Sequence, residues 1–217
     1  MIDLADVKRL AALGEGPRIE FKRRVPKPER IAKEVIALAN SGGGKVLLGV
    51  DDDGSVVGVR DAHEERFALD QALTTLIDPP LQVHITTLQI TPRRDVLVVD
   101  VPDSAARPHF LQQPDSQRRV AYVRTGSQSI EASREVIRVI RAEKKESDTM
   151  FEFGEKEHQL MQYLDRYERI TVSQYARLAN LPPRRASQTL VLLTRAGILA
   201  VHPNEKADYF TLAVRAG

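Results

Sequence analysis

Two carboxylates and a lysine, Glu15, Glu20 and Lys22, stand close together near the start of the chain. Glu20 and Lys22 are two apart in a stretch, residues 18–22, whose pattern predicts a short strand, so their side chains point to the same side. Asp51 follows an apolar run at residues 45–50 that predicts a second, buried strand. If the two strands pair, Glu15, Glu20 and Asp51 converge as three carboxylates. Carboxylate oxygens suit Mg²⁺ or Mn²⁺, and such an ion activates water and stabilises a phosphoryl transition state. Asp52 or Asp53 can take the place of Asp51, because the register of the turn Asp51-Asp52-Asp53-Gly54 is open. A structural alternative stands beside this one: Glu20 pairs with Lys22 or Arg18, and the aspartates are ordinary turn composition.

The same region is basic. Arg18, Lys22, Arg23, Arg24, Lys27, Arg30 and Lys33, with Lys45 nearby in sequence, are opposed only by Glu20, Glu29 and Glu34. Phosphate contact is the natural use of such a cluster, and a solvated face is the alternative. Arg124, with Ser127 on a glycine turn, is a further candidate for phosphate. The net charge is only +2, so an anionic partner must be met by local clustering. Gly42-Gly43-Gly44 runs from a helix into a strand, and Lys45 is followed by Val46. A P-loop needs the opposite order and a Ser or Thr after the lysine, so these glycines are expected to cap the helix and let backbone approach closely. The histidines are dispersed without metal-ligand spacing; His109 alone falls in a motif, and a satisfied structural role is expected for it. No Gly-x-Ser-x-Gly element points to a serine hydrolase.

The elements that position these residues follow from periodicity. Asp3 is an N-cap for a helix carrying Leu4, Val7, Leu10 and Leu13 at helical spacing. A second helix is expected over residues 29–39 with Asn40 to Gly44 as its cap and turn, and a third from Asp61 to about residue 77, where Pro79-Pro80 stops it. Hairpins are expected from 45–50 into 56–59, and from 81–90 into 96–101. A further strand is expected at 120–124, and a charged helix opening at Ser129 or Glu131. The polar run at 142–149 marks a boundary, giving one domain over 1–147 and a second over 148–217. The expected fold is α/β (α+β) with a mixed sheet and flanking helices, followed by three helices and a β-hairpin.

Three ordered motifs carry a resemblance. Glu15 with Glu20-Phe21-Lys22 is followed by Ala37-x-Ala39-Asn40-Ser41 with Gly43-Gly44, then by Gly49-Val50-Asp51-Asp52-x-Gly54 and Gly58. Pro108-His109-Phe110 and Tyr122-Val123-Arg124-Thr125-Gly126-Ser127 complete the series. Over roughly residues 10–140 the chain resembles the Schlafen-type AlbA-like domain. That resemblance implies nucleic-acid binding. It also implies a second reading, because some Schlafen members are metal-dependent ribonucleases of structured RNAs such as tRNA. Their three acidic positions fall on Glu15, Glu20 and Asp51, with Lys22 beside them. The vertebrate core has two such lobes where this chain has one, which a homodimer would restore.

The C-terminal stretch predicts helices at 153–167, 173–178 (with Ser173 as N-cap) and 183–196, then a hairpin of residues 198–201 and 209–212. It resembles a winged helix-turn-helix domain. In that family the third helix enters the major groove, which here presents Arg184, Arg185, Ser187, Gln188 and Thr189, with Lys206 on the wing as a phosphate contact. Arg reads guanine and Gln reads adenine; a partner-binding or spacer role is the alternative. The resemblances together lead to an expected DNA-binding transcriptional regulator, DNA or structured RNA being the partner. The absence of cysteine excludes disulfides and thiolate chemistry and fits a reducing compartment. No apolar stretch is long enough to cross a bilayer, and the N-terminus lacks a signal-peptide pattern, so the expected location is cytoplasmic.

Overall fold

The computed structural model describes residues 2–112, 118–142 and 154–213. The chain divides into two compact units, Met1–Glu131 and Ala132–Gly217. The boundary expected at 147/148 lies outside the described residues.

The first unit opens with helix α1 (Leu4–Leu13), where Asp3 and Asp6 form a reciprocal capping box. Strand β1 (Ile19–Lys22), helix α2 (Pro28–Asn40), strand β2 (Gly44–Leu48), helix α3 (Ala62–Leu76) and short strand β3 (Ile77–Asp78) follow. Next come β4 (His84–Thr91), β5 (Arg94–Val101), β6 (Phe110–Gln112), β7 (Arg119–Val120), β8 (Tyr122–Thr125) and β9 (Gln128–Glu131). The main sheet has the order β1-β2-β5-β4. β1 pairs with β2 in parallel, and the other two pairings are antiparallel, so the sheet is mixed as expected. β3-β6-β7 and β8-β9 form smaller sheets.

Alternation along the strands separates two cores. Val46, Leu48, Leu97 and Val99 face one side, where they pack with Ile31, Val35 and Leu38 of α2 and Leu69 and Leu73 of α3. Phe21, Leu47, Val96 and Val98 face the other side and pack with Val7 and Ala11 of α1. Phe21 points to the α1 face, so Glu20 and Lys22 on the same strand are turned to the α2 face.

Two glycines of the motifs are required by close approach. A Cβ on Gly44 would stand 2.5 Å from the Arg18 carbonyl oxygen, across the β1–β2 contact. One on Gly49 (φ +97°) would stand 2.9 Å from the Gly58 Cα. The second approach explains why residues 56–59 do not form the expected hairpin strand. The chain folds back at Gly49, whose carbonyl accepts from Val57 and Gly58, leaving only isolated bridges at Val50–Val56 and Val59–Asp95.

Three other expectations are corrected. The strand expected at 120–124 is two strands in different sheets, broken at Ala121. Ser129 and Glu131 do not open a helix: they lie in β9, which turns back on β8 through Gly126 at φ +58°. Asn40 is the last residue of α2 rather than part of the turn. There it donates to the carbonyls of His109 (3.0 Å) and Tyr122 (2.9 Å) and accepts from the His109 amide (2.8 Å). His109 is fully buried, as a structural histidine. Its Nδ1 lies 2.7 Å from the Pro79 carbonyl, which can only accept, so Nδ1 carries a proton, and Nε2 lies 2.6 Å from the Ser104 hydroxyl.

In the second unit, α4 (Arg134–Ala142) precedes α5 (Glu155–Tyr167), α6 (Val172–Leu178) and α7 (Pro183–Arg195), and β10 (Leu199–His202) pairs antiparallel with β11 (Tyr209–Leu212). Thr171, not Ser173, caps α6 by accepting from the Gln174 amide. Leu160, Leu164, Tyr175, Leu190, Leu193 and Phe210 form its core. Burial pushes the Tyr175 phenol up to about 12. Its folded value lies above the unfolded value of about 10, so this stabilisation is complete below pH 10 and lost as pH rises toward 12.

Asn40→Ala removes all three of its hydrogen bonds and strands buried peptide groups at His109 and a part-buried carbonyl at Tyr122. We expect a loss of about 2–5 kcal/mol in urea unfolding, and comparable damage from Asn40→Asp, which keeps the acceptor but loses both donations.

Candidate functional site

The three carboxylates expected to share an ion are placed apart in their bonding. Glu20 is 4% exposed. Its Oε1 pairs with Lys22 and its Oε2 accepts from Arg124 Nη1 at 2.7 Å. Glu15 Oε1 accepts from the Phe21 amide at 2.9 Å, tying the loop before β1 to the strand. Asp51 stands in the turn after β2, with Oδ2 3.4 Å from Arg23 Nη1. Mg²⁺ needs several oxygens converging at about 2.0–2.1 Å. Among the described residues no group of three His, Asp or Glu side chains is placed to hold a metal ion. The donors of Glu15, Glu20 and Asp51 therefore do not fit the ion, and Lys22 belongs to the ion pair with Glu20. Asp53, another candidate of that turn, accepts from the Ser55 amide, which lowers its pKa below the ordinary value.

Arg124 is corrected most sharply. Its side chain is 1% exposed, so it does not meet phosphate at the surface. Nη1 donates to Glu20, to Glu34 Oε2 at 3.2 Å and to Ser129 Oγ at 3.1 Å. Nη2 donates to the Gly16 carbonyl at 2.7 Å, and the backbone amide donates to Ser41 Oγ at 2.9 Å. The Tyr-Val-Arg motif is thus bound to both the Glu-Phe-Lys and Asn-Ser motifs. Ser127, on the β8–β9 turn, is exposed.

The basic run does not fold into one patch. Strand β1 runs through it, and four residues at about 3.3 Å each separate its ends. Arg18 lies exposed at one end, beside Gly42. Lys45 is at the same end and pairs with Asp100 at 2.7 Å. Arg23 and Arg24 lie at the other end, both exposed, and Lys27 is exposed at the N-cap of α2. Arg23 and Arg24 line a cleft of about 520 Å³ together with Gly58, Arg60, Asp61, Glu64, Glu65 and Arg94. Arg60 and Arg94 are not among the candidates of the sequence, where they stand far apart from Arg23 and Arg24.

In the second unit, Arg184, Arg185 and Gln188 are exposed on the first half of α7, Thr189 is half-buried, and Lys206 is exposed between β10 and β11. Ser187 is corrected: it is 4% exposed, and α4 covers it. Its hydroxyl donates to Glu135 Oε1 at 2.6 Å and accepts from Arg138 Nη1 at 3.0 Å.

A family model described as Schlafen, AlbA_2 matches residues 15–133, more than half of the chain. The chain belongs to the Schlafen AlbA_2 family. The match takes in every motif residue of the first unit from Glu15 to Ser127 and supports nucleic-acid binding as its coarse function. No curated protein matches. Among solved structures, this Schlafen AlbA_2 chain is similar to the N-terminal domain of a protein from Nitrosomonas europaea described as related to the ATP-dependent DNA helicase RecG. The two share 29% identity and a TM-score of 0.45, over 59% of this chain and 92% of that one. It is also similar to the DIP2311 protein from Corynebacterium diphtheriae, at 20% identity and a TM-score of 0.42, over 68% of this chain and 29% of that one. Among the described residues no helix is long and apolar enough to cross a membrane.

Glu20→Ala leaves Arg124 buried beside Glu34 alone. We expect a loss of about 3–5 kcal/mol in denaturant unfolding. Lys22→Ala, which removes the more exposed partner, is expected to cost about 1 kcal/mol or less. Equal stability of the two variants would refute the structural role given to Glu20.

Proposed function

We propose that the protein is a DNA-binding transcriptional regulator of the cytoplasm that acts as a homodimer, with a Schlafen AlbA_2 unit followed by a winged helix-turn-helix unit. The observation that carries this reading is the open face of α7. Its Ala186, Leu190 and Leu193 are turned into the core, and Ser187 is taken by α4. Arg184, Arg185 and Gln188 remain exposed at the N-terminal end, the part of a recognition helix that meets base edges. Arg and Gln are the side chains that read guanine and adenine in the major groove. The β10–β11 hairpin, with Lys206 exposed between its strands, is suited to a neighbouring phosphate. A homodimer would present two such helices to half-sites one helical turn, about 34–36 Å, apart.

Selection from a random duplex library, followed by titration of the selected site, tests the reading. Wild-type protein is expected to enrich a palindromic site. Arg184→Ala with Arg185→Ala is expected to lose about 1–3 kcal/mol of discrimination per guanine contact while retaining salt-dependent binding. Unchanged preference in the double variant would remove α7 from recognition, and a monomer in sedimentation at binding concentrations would remove the dimer.

A further inference from the structure

The cleft that holds Arg23, Arg24 and Arg94 does not end at Arg60. A second cleft, of about 550 Å³, is lined by Arg60, Asp61, His63, Arg66, Thr87 and Asp95. The two share Arg60 and Asp61. Guanidinium groups from three separated stretches of chain, at 23–24, 60–66 and 94, thus line a joined surface of the first unit.

Four carboxylates also line it, those of Asp61, Glu64, Glu65 and Asp95, and the first three have a local explanation at the start of α3. Asp61 is the N-cap of α3 and accepts from the His63 and Glu64 amides, both at 3.0 Å. Glu64 and Glu65 stand in the first turn of that helix, where negative charge is stabilised by the helix dipole. Glu65 further accepts from the Val25 amide at 2.6 Å. Folding therefore accounts for these three acids. It does not account in the same way for the arginines. Arg24 and Arg60 are exposed and make no side-chain hydrogen bond or ion pair among the described residues. Arg23 is 73% exposed and reaches Asp51 only at 3.4 Å. Arg66 lies 3.7 Å from Asp70. Arg94 spends one donor on the Gly58 carbonyl at 3.0 Å, a bond that fixes the wall rather than neutralises charge. A guanidinium presents five donors in a planar fork suited to phosphate oxygens.

We propose that the two clefts form one groove that binds consecutive phosphodiesters of a nucleic-acid strand, with Arg60 at the junction, Arg23 and Arg24 on one side and Arg66 on the other. This rests on the reading of the protein as a nucleic-acid binder but is separate from α7: the groove supplies sequence-independent affinity in the first unit. Duplex and single strand share the phosphodiester chemistry, and they differ in how salt acts on binding.

Fluorescence anisotropy of the full chain separates the outcomes, with a duplex DNA and a single-stranded RNA of arbitrary sequence, from about 50 to 200 mM salt. Wild type, Arg24→Ala with Arg60→Ala, and the exposed α1 control Lys8→Ala are compared. Each lost phosphate contact reduces the slope of log K against log salt by about 0.9 on duplex and 0.7 on single strand. The double variant is expected to be shallower by about 1.8 on duplex, or by about 1.4 on single strand, with Lys8→Ala unchanged. The probe that shows the change identifies the strand bound. A double variant with the wild-type slope on both probes, or an equal change in Lys8→Ala, would overturn the groove while leaving the nucleic-acid reading intact. Absence of wild-type binding to either probe at the lowest salt would overturn both.

Discussion

One guanidinium ties the β8–β9 hairpin to the rest of the first unit. Arg124 reaches from β8 to the carboxylates of Glu20 on β1 and Glu34 on α2, and to the carbonyl of Gly16 in the loop between α1 and β1. With Lys22 on the other oxygen of Glu20, the cluster contains two cations and two anions. That balance matters, because removing an ion from water costs several kcal/mol unless a partner and hydrogen bonds replace the water. The cluster is satisfied except at Arg124 Nε, which has no partner among the described residues. It acts where backbone pairing does not: β8 and β9 pair with each other and are not in the main sheet. Arg124 and Asn40 link that hairpin to the helix and sheet behind it.

The same cluster explains which parts of the molecule were legible in the sequence. Periodicity located α1, α2, α3 and the β4–β5 hairpin, because each has an apolar face and a clear stop. The alternation that put Glu20 and Lys22 on one side of a strand also holds. What alternation did not contain was the identity of the third group on that side. Glu20 and Arg124 are far apart in sequence, and a carboxylate beside a lysine reads equally as half of an ion pair or half of an ion site. Residues 56–59 depart from expectation for a related reason: their apolar character suits a strand, but the return of the chain at Gly49 is set by contact with Gly58. The β9 residues read as a helix start because Ser129 and Glu131 are also cap chemistry, while the turn at Gly126 joins them to β8.

In the second unit the missing information was the neighbour of α7. Helical spacing alone exposes Ser187 with Arg184 and Gln188. In the folded unit α4 takes Ser187 through Glu135 and Arg138, so one edge of the helix is spoken for. The remaining face is narrower than helical spacing alone suggests. A helix held on two sides, by its core and by α4, presents that face with less freedom than one held by its core alone. Pre-ordering of the contact residues reduces the entropy lost on binding.

Taken together, the side chains of the family motifs and those at the clefts divide the work. Glu15, Glu20, Asn40, Ser41, His109 and Arg124 have their polar atoms turned toward the protein itself. Such residues specify the fold, and a fold does not by itself name a function. Arg24 and Arg60 have their charges in the opposite condition, exposed and without an internal partner among the described residues. Charges of that kind contribute little to stability, so their grouping around a cleft is better explained by an external anion than by folding. Apart from Gly58, whose carbonyl holds Arg94 at the cleft wall, the residues that made the chain recognisable are therefore not the ones on which its binding is expected to depend.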